Sequence, residues 1–178
     1  MNSIEEKLNI PATGVIMQKL GLEYDGQLEM AEPEATYSYS VPVITDDCPG
    51  RLQYFPLNKN SEDGLSEHFD REELLQKIEG KKYCVIICNS YDKLDQEGSR
   101  TSYNPYGGSP AYIAAVWDAT EDPLMATTLY SCTFLTEAAP HEAPSELERV
   151  PLFLKEEEVQ AWLHPTDDLQ KKEILNRV

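Results

Sequence analysis

Residues 134–164 read FLTEAAPHEAPSELERVPLFLKEEEVQAWLH, and this stretch decides the predicted fold. Its centre, VPLFL at 150–154, is a short apolar run that predicts a buried strand. The next segment, EEEVQAWL at 156–163, predicts a helix with its glutamates at the positive N-terminal end and with Val159, Trp162 and Leu163 facing inward.

Strands outnumber helices in the rest of the sequence. The predicted strands are YSYSVPVIT (37–45), RLQYFPL (51–57), KYCVIICNSY (82–91), AYIAAVWDAT (111–120) and TTLYSCTFLT (127–136), with DDCPG (46–50) as the turn between the first two. Because these strands follow one another without intervening helices, we predict an α+β fold with a mainly antiparallel, barrel-like β core and a few peripheral helices. The length predicts one domain over residues 1–178.

Helix signals are few. TGVIMQKL (13–20) predicts a short helix capped by Thr13 and stopped by Gly21, and DREELLQKIEG (70–80) gives the strongest helix pattern. DDLQKKEILNRV (167–178) predicts a peripheral helix. The polar segment DQEGSRTSYNPYGGSP (95–110) predicts a long exposed loop, where binding residues often lie.

The charge balance limits the classes of partner. The chain has 32 acidic residues against 15 Lys and Arg, so its formal net charge is −17. Such a surface repels DNA and anionic membranes, and we expect weak or no binding of single-stranded DNA and no membrane association. The first residues, MNSIEEKLNIPATG, do not resemble a signal peptide, and we expect the protein to be cytoplasmic.

Motifs for metal, cofactor or nucleophilic chemistry are not found. Cys48, Cys84, Cys88 and Cys132 have no metal-ligand spacing and are expected as reduced thiols, and His68, His141 and His164 are scattered. There is no phosphate-binding glycine loop and no GxSxG motif. We therefore predict no cofactor and no metal site.

The order YSYSVPVIT, KKYCVIICNSYD, AYIAAVWDA and FLTEAAPHEAPSELERVPLFLKEEEVQAWLHP resembles the SRAP family (SOS-response-associated peptidase), most clearly over 111–165. The resemblance implies a compact β-rich core that holds single-stranded DNA in a basic groove. It also implies covalent attachment to abasic sites by a cysteine that becomes N-terminal when the initiator methionine is removed. Its amino group and thiol condense with the sugar aldehyde to a thiazolidine, while an acid, an Asn and a His position and protonate the intermediates.

Several of these implied groups are missing. Asn2 follows the first methionine and no cysteine precedes Cys48, so we expect the nucleophile to be absent. Asn58 keeps the place of the family's Asn, although the neighbouring Arg is replaced by Asn60. Tyr91 and Asp92 match the aromatic and acid with a one-residue shift. Asn58 and Asp92 are thus candidate remnants of the catalytic groups.

The SELERVPLFL segment matches the family's scaffold without its histidine. Arg149 and Pro151 align with the family's Arg and Pro, and this alignment puts Leu147 in the place of the His and Glu148 in the place of its Asp. His141 lies six residues too early to replace it. The predicted binding residues are Asn58, Tyr91 and Arg149, with a structural role expected for Arg149.

Three hypotheses follow from these patterns. The first is a divergent SRAP-like protein without DNA-crosslinking or peptidase activity, a pseudoenzyme that acts by binding and is linked to the DNA damage response. The second is an acidic inhibitor or DNA mimic that binds a basic protein partner. The third is an enzyme with a relocated site near Asp92, built with Asn58 and the tyrosine-rich segment from Tyr103 to Tyr112. The sequence does not set the oligomeric state.

Overall fold

The structure is a computed structural model that describes residues 5–24, 40–58, 82–108, 110–164 and 168–176. The predicted helix at 70–80 lies outside these residues, as does His68. The described strands are β1 (Glu5–Asn9), β2 (Ser40–Thr45), β3 (Cys48–Pro56), β4 (Lys82–Cys88), β5 (Ser90–Leu94), β6 (Arg100–Tyr103), β7 (Ala111–Asp122), β8 (Thr127–Phe134), β9 (Thr136–Ala138), β10 (Arg149–Pro151) and β11 (Phe153–Leu154). The described helices are α1 (Thr13–Leu20), α2 (Glu156–Leu163) and α3 (Asp168–Leu175).

One large antiparallel sheet organises the molecule. Its strand order is β11-β7-β4-β2-β3, and β8 also pairs with β7. The long β7 strand pairs with β4 along one edge, and on the other edge it pairs first with β11 and then with β8. The change of partner occurs at Ala114, whose N–H donates to Leu152 and whose carbonyl accepts from Leu135.

The sheet curls until its two ends touch. Leu57, just after β3, forms a bridge with Cys132 in β8, and the Asn58 N–H donates to the Cys132 carbonyl at 2.8 Å. The Cys132 thiol also lies 3.7 Å from the Pro56 carbonyl. The strand pairings within the sheet are antiparallel, and since β8 is already attached to β7, this seam, a single parallel bridge, completes the curl; the predicted mainly antiparallel, barrel-like core is confirmed.

Both faces of the central strands are buried. In β4 and β7, residues such as Ile86, Ile113 and Trp117 face an inner core, and the alternating Val85 and Ala114 face a helix-side core. This two-sided burial explains why KYCVIIC and AYIAAVW are continuous apolar runs. Trp117 is buried at the end of this inner core.

Helix α2 closes the helix-side core. The fully buried Trp162 ring meets the Tyr83 ring edge-on, and its Nε1 donates to the carbonyls of Cys84 (2.9 Å) and Ala115 (3.1 Å). One indole thus joins β4 to β7. The Lys155 N–H donates to Glu158, which starts the helix. The predicted inward positions Val159, Trp162 and Leu163 are confirmed.

Two smaller sheets cover the inner core. One has the order β1-β5-β6, and the other pairs β9 with β10. Leu8, Tyr91 and Tyr103 from the first and Val150 from the second join the inner core. These small sheets form the side of the molecule opposite α2 and place the candidate site residues.

Several predicted boundaries were wrong. Strand 82–91 is divided into β4 and β5, which belong to different sheets, and 127–136 ends at Phe134 before β9 begins. The predicted loop 95–110 contains β6, and the polar segment near the start contains β1. In α1 the N-cap is Ala12, since the Thr13 hydroxyl bonds instead to the Tyr54 hydroxyl at 2.6 Å. Gly21 does end α1, with φ of 62°.

Candidate functional site

A small cleft lies where β1, β5, β9 and β10 meet the end of β8. Its volume is about 130 Å³ and it is lined by Glu6, Tyr91, Lys93, Phe134, Thr136, Glu148, Arg149, Val150 and Pro151. The sequence predicted two of these as binding residues, Tyr91 and Arg149, and the structure brings them together. The cleft is lined by two carboxylates and two cations, so it is not the basic groove that the family resemblance implied.

Arg149 is held by one neighbouring strand. Its Nε donates to the Thr136 hydroxyl at 3.1 Å, and one terminal nitrogen donates to the same hydroxyl at 3.0 Å and to the Thr136 carbonyl at 2.9 Å. Burial lowers the pKa of Arg149, and the nearby Glu137 acts in the opposite direction. The guanidinium therefore fixes β10 against β9, which agrees with the structural role expected from the sequence.

Tyr91 forms the floor of the cleft. It is 3% exposed, and its side chain is hydrogen-bonded to Glu6 from β1. Burial, and next the negative charge of Glu6, raise the pKa of Tyr91 far above its ordinary value. The phenol stays protonated at any physiological pH, so it can donate a hydrogen bond but cannot serve as a base.

Lys93 takes the place beside Tyr91 that Asp92 was predicted to fill. Residues 91 and 93 lie on one face of β5 and residue 92 on the other, because strand side chains alternate. The Lys93 ammonium donates to the Glu146 carbonyl at 2.9 Å, in the segment that precedes β10. Beside Tyr91 the cleft therefore presents the Lys93 amine, not the acid that the family resemblance implies.

Asp92 is turned away from the cleft. It is fully buried, its carboxylate accepts from the Ser90 hydroxyl at 2.8 Å, and it forms an ion pair with Arg100 from β6. Both carboxylate oxygens are thus engaged by protein groups. This arrangement ties β5 to β6, and a catalytic role for Asp92 stays a prediction without geometric support.

Asn58 is also outside the cleft. Its amide donates to the hydroxyls of Ser131 (3.1 Å) and Thr133 (3.3 Å), which lie on the face of β8 opposite Phe134. With its backbone bond to Cys132, Asn58 holds the β3–β8 seam. The structure therefore does not bring Asn58 together with Tyr91 and Arg149.

The position aligned with the family's histidine is part of the core. Leu147 is 4% exposed and belongs to the inner core with Tyr91 and Val150. Its N–H donates to the Pro144 carbonyl at 3.0 Å, which fixes the turn before β10. His141 is exposed in that same segment and does not line the cleft.

The cysteines offer no reactive thiol at the cleft. All four are free, and Cys84, Cys88 and Cys132 are buried, as expected from the sequence. Burial raises the pKa of each of these three thiols, to about 12 for Cys132. Across the described residues, no group of three or more His, Cys, Asp or Glu side chains is placed to hold a metal ion. No helix in the described part is long and apolar enough to cross a membrane.

Sequence reasoning missed Glu6, Lys93 and Thr136 as cleft residues. Glu6 was missed because β1 is polar and was not recognised as a strand. Lys93 could have been found from the period-two alternation that starts at Tyr91, had β5 been separated from β4. Thr136 carried no signal, since its role depends on the pairing of β9 with β10.

The fold and the cleft define a class of protein: an α+β domain with a curled antiparallel sheet and a small mixed-charge cleft under two covering sheets. A family model described as SOS response associated peptidase (SRAP) matches residues 59–178, which is 120 of the 178 residues. The chain belongs to the SRAP family.

Solved structures support the same fold. A crystal structure of a Bordetella bronchiseptica protein is similar with a TM-score of 0.60 at 12% identity, over 94% of this chain and 91% of that chain. A Bacteroides thetaiotaomicron protein is similar with a TM-score of 0.61 at 17% identity, over 96% and 84% of the two chains. At these identities the likeness shows the fold alone. No curated protein matches the sequence significantly.

Proposed function

We propose that this SRAP-family protein acts by binding, without DNA-crosslinking or peptidase activity, within the DNA damage response that the family name indicates. The observation that carries the proposal is Leu147, an almost fully buried leucine at the position aligned with the family's histidine. An aliphatic side chain inside the core can neither accept nor donate a proton. The position therefore supports packing of the covering sheets and no acid–base step.

The other groups expected for covalent chemistry are also engaged elsewhere. Asp92 is buried and paired with Arg100, and the raised pKa values of Cys84, Cys88 and Cys132 keep these thiols protonated and weakly nucleophilic. Four free cysteines also support the expectation of a reducing, cytoplasmic location. The burial of Asp92 disfavours the hypothesis of a relocated active site built on it.

Single-stranded DNA is a poor ligand for this cleft. The two cations of the cleft already donate hydrogen bonds within the protein, Lys93 to the Glu146 carbonyl and Arg149 to Thr136. The carboxylates of Glu6 and Glu148 line the same cleft. Proteins gain affinity for DNA phosphates largely by releasing the counterions that surround them. A cleft with no net positive charge, in a chain whose formal net charge is −17, lacks this contribution. We expect Kd values for random single-stranded DNA weaker than about 10 μM at physiological salt.

A basic protein partner is the second candidate, and one stretch of sequence favours it. Residues 101–148 contain no Lys or Arg and seven acidic residues, which are Asp118, Glu121, Asp122, Glu137, Glu142, Glu146 and Glu148. A surface of one sign attracts a partner of the other and speeds their encounter. Such a partner fits the hypothesis of an acidic inhibitor or DNA mimic.

An anisotropy titration tests the expectation that single-stranded DNA is a poor ligand. A fluorescein-labelled single-stranded oligonucleotide is titrated with the protein at low and physiological salt, together with Arg149→Ala and the matched control Lys172→Ala, which removes an exposed cation on α3. We expect weak binding by all three proteins. Tight, salt-sensitive binding that Arg149→Ala weakens and Lys172→Ala does not would make DNA recognition at the cleft the leading function instead.

A further inference from the structure

A β-hairpin carries a cluster of exposed apolar side chains. This hairpin arm, residues 118–130, comprises the end of β7, the turn at 123–126 and the start of β8. Leu124 is 93% exposed, Met125 70%, Leu129 55% and Tyr130 44%. Single exposed apolar residues are common, but four within seven consecutive residues call for an explanation. Leu129 and Tyr130 face opposite sides of the hairpin, because they are neighbours in β8, whereas Leu124 and Met125 lie together in the turn.

The turn at the end of the arm is ordered. The Asp122 carboxylate accepts from the N–H groups of Leu124 (2.8 Å) and Met125 (3.2 Å), and the Asp122 carbonyl accepts from the Ala126 N–H at 3.0 Å. Ala126 adopts φ of 51°, a left-handed conformation that is unfavourable for a non-glycine residue. The backbone that carries the two most exposed apolar side chains is therefore held in one conformation, which lowers the entropic cost of binding.

The base of the arm is anchored on the barrel. The Tyr130 ring stacks on Phe55 with centroids 5.2 Å apart and an interplanar angle of 12°, and it lies 6.2 Å from the Trp117 ring. The register from Asp118 opposite Ser131 to Asp122 opposite Thr127 is continuous. The arm is thus supported by the barrel at its base.

The charged side chains on the arm itself are all negative, and the cation at its base is Lys82, whose ammonium lies over the Trp117 ring at 4.4 Å from the centroid. Asp118, Glu121 and Asp122 lie on the arm itself, within the stretch 101–148 that has no Lys or Arg. A second copy of this chain would bring the same acidic residues against them, and a nucleic acid or an anionic membrane would be repelled. A partner with Lys and Arg beside an apolar pocket complements both features.

We infer that the hairpin arm is a docking surface for a basic protein partner, which receives Leu124 and Met125 in an apolar pocket bordered by Lys and Arg. The inference deepens the proposal that the protein acts by binding, and it uses a site other than the cleft. Thr127, beside the turn, is about 24 Å of extended strand away from Phe134 at the cleft. A ligand in the cleft and a partner on the arm can therefore be tested separately.

The test uses a defined peptide that offers the two features the arm would meet in such a partner, an apolar leucine face and a border of lysine residues. The peptide is titrated into ¹⁵N-labelled protein and shifted amide signals are mapped. We expect the shifts to concentrate at 118–130. The double variant Leu124→Ser, Met125→Ser should weaken binding about tenfold or more, consistent with the loss of two buried anchors. Val15→Ser, which replaces an exposed apolar residue on α1, serves as the matched control and should leave binding unchanged.

A charge variant gives an independent reading. Glu121→Gln on the arm should weaken binding about two- to fivefold at low salt and less at high salt, whereas Glu157→Gln on α2 should not. Shifts spread over α2 and other acidic surfaces, or equal effects of both glutamine variants, would overturn the inference. The inference would also be overturned if sedimentation showed that the protein is a dimer and that the Leu124→Ser, Met125→Ser variant is a monomer. The arm would then bind a second copy of this chain. These results do not depend on the DNA titration, which tests the cleft.

Discussion

Replacing Leu147 by histidine puts back the residue type that the family resemblance implies, at a position that the structure assigns to the core. Leu147 is 4% exposed and packs in the inner core with Tyr91 and Val150. The exchange loses about 1.5–3 kcal/mol of apolar burial. It also buries an imidazole N–H without a designed partner, which costs about 1–3 kcal/mol. We therefore expect Leu147→His to lower the free energy of unfolding by about 3–5 kcal/mol at pH 7.5.

The pH dependence of this loss has a definite sign. A buried imidazole has a pKa below that of the unfolded chain, which is about 6.5. The unfolded state then binds more protons than the folded state when the pH falls, so the variant loses up to about 1.4 kcal/mol more for each pH unit below 6. Urea unfolding followed by the fluorescence of Trp117 and Trp162 at pH 7.5 and 5.5 measures both effects.

Two variants separate histidine from simple loss of volume. Leu147→Met keeps an apolar side chain of similar size and should cost less than about 1.5 kcal/mol. Leu147→Ala should cost about 2–5 kcal/mol without the added acid sensitivity. If Leu147→His were within about 1 kcal/mol of the parent protein at both pH values, the side chain would reach solvent and the placement of Leu147 in the core would be refuted.

Two further predictions concern buried ionisable groups. Arg100→Ala leaves the buried Asp92 carboxylate without its counterion. Because the Arg100 guanidinium is half exposed, we expect the free energy of unfolding to fall by about 1–3 kcal/mol rather than by the larger values typical of fully buried pairs. In urea unfolding, the double variant Arg100→Ala, Asp92→Asn should be more stable than Arg100→Ala alone. If the double variant is no more stable, the ion pair is not what holds β5 to β6. Burial raises the folded-state pKa of Cys132 to about 12 and also raises those of Cys84 and Cys88, so stability is full below about pH 8.5 and falls as the pH rises toward the folded-state values. Each thiol adds up to about 1.4 kcal/mol per pH unit to this loss of stability. Cys132→Ala should therefore reduce the slope of unfolding free energy against pH, between pH 9.5 and 10.5, by about that amount. An unchanged slope would contradict the burial of the Cys132 thiol.

The sequence predicted the parts of the fold that depend on continuous apolar patterns. The strands around Ile86 and Ile113 are buried on both faces, and the α2 helix places Trp162 in the core, so their patterns are strong. By contrast, β1 and β6 are short, polar strands whose stability comes from pairing with β5 and from burial of single residues such as Leu8 and Tyr103. Pairing between distant segments leaves little trace in a single local pattern.

The candidate site was predicted less well than the fold, for a related reason. Tyr91 and Arg149 both line the cleft, and each adjoins a strongly patterned segment: Tyr91 follows the apolar strand β4 closely, and Arg149 directly precedes the apolar stretch 150–154. Asp92 was chosen by resemblance, but the alternation of β5 turns it away and presents Lys93. Asn58 keeps the family spacing, yet it is used in the seam with β8. The face on which a strand side chain lies depends on the residue at which the strand begins. When that residue is not predicted correctly, spacing along the chain does not identify the face.

The central claim is that this SRAP-family protein acts by binding and forms no covalent adduct with DNA. The most direct test is to incubate the protein with an abasic single-stranded oligonucleotide and to resolve the products on a denaturing gel. Thiazolidine formation needs an amine and a thiol on one residue, and Cys48, Cys84, Cys88 and Cys132 are all internal. Free cysteine, which has both groups, serves as the positive control. We predict no shifted protein band in the absence of borohydride, because an amine alone forms only a reversible Schiff base. A stable, borohydride-independent adduct would contradict the claim.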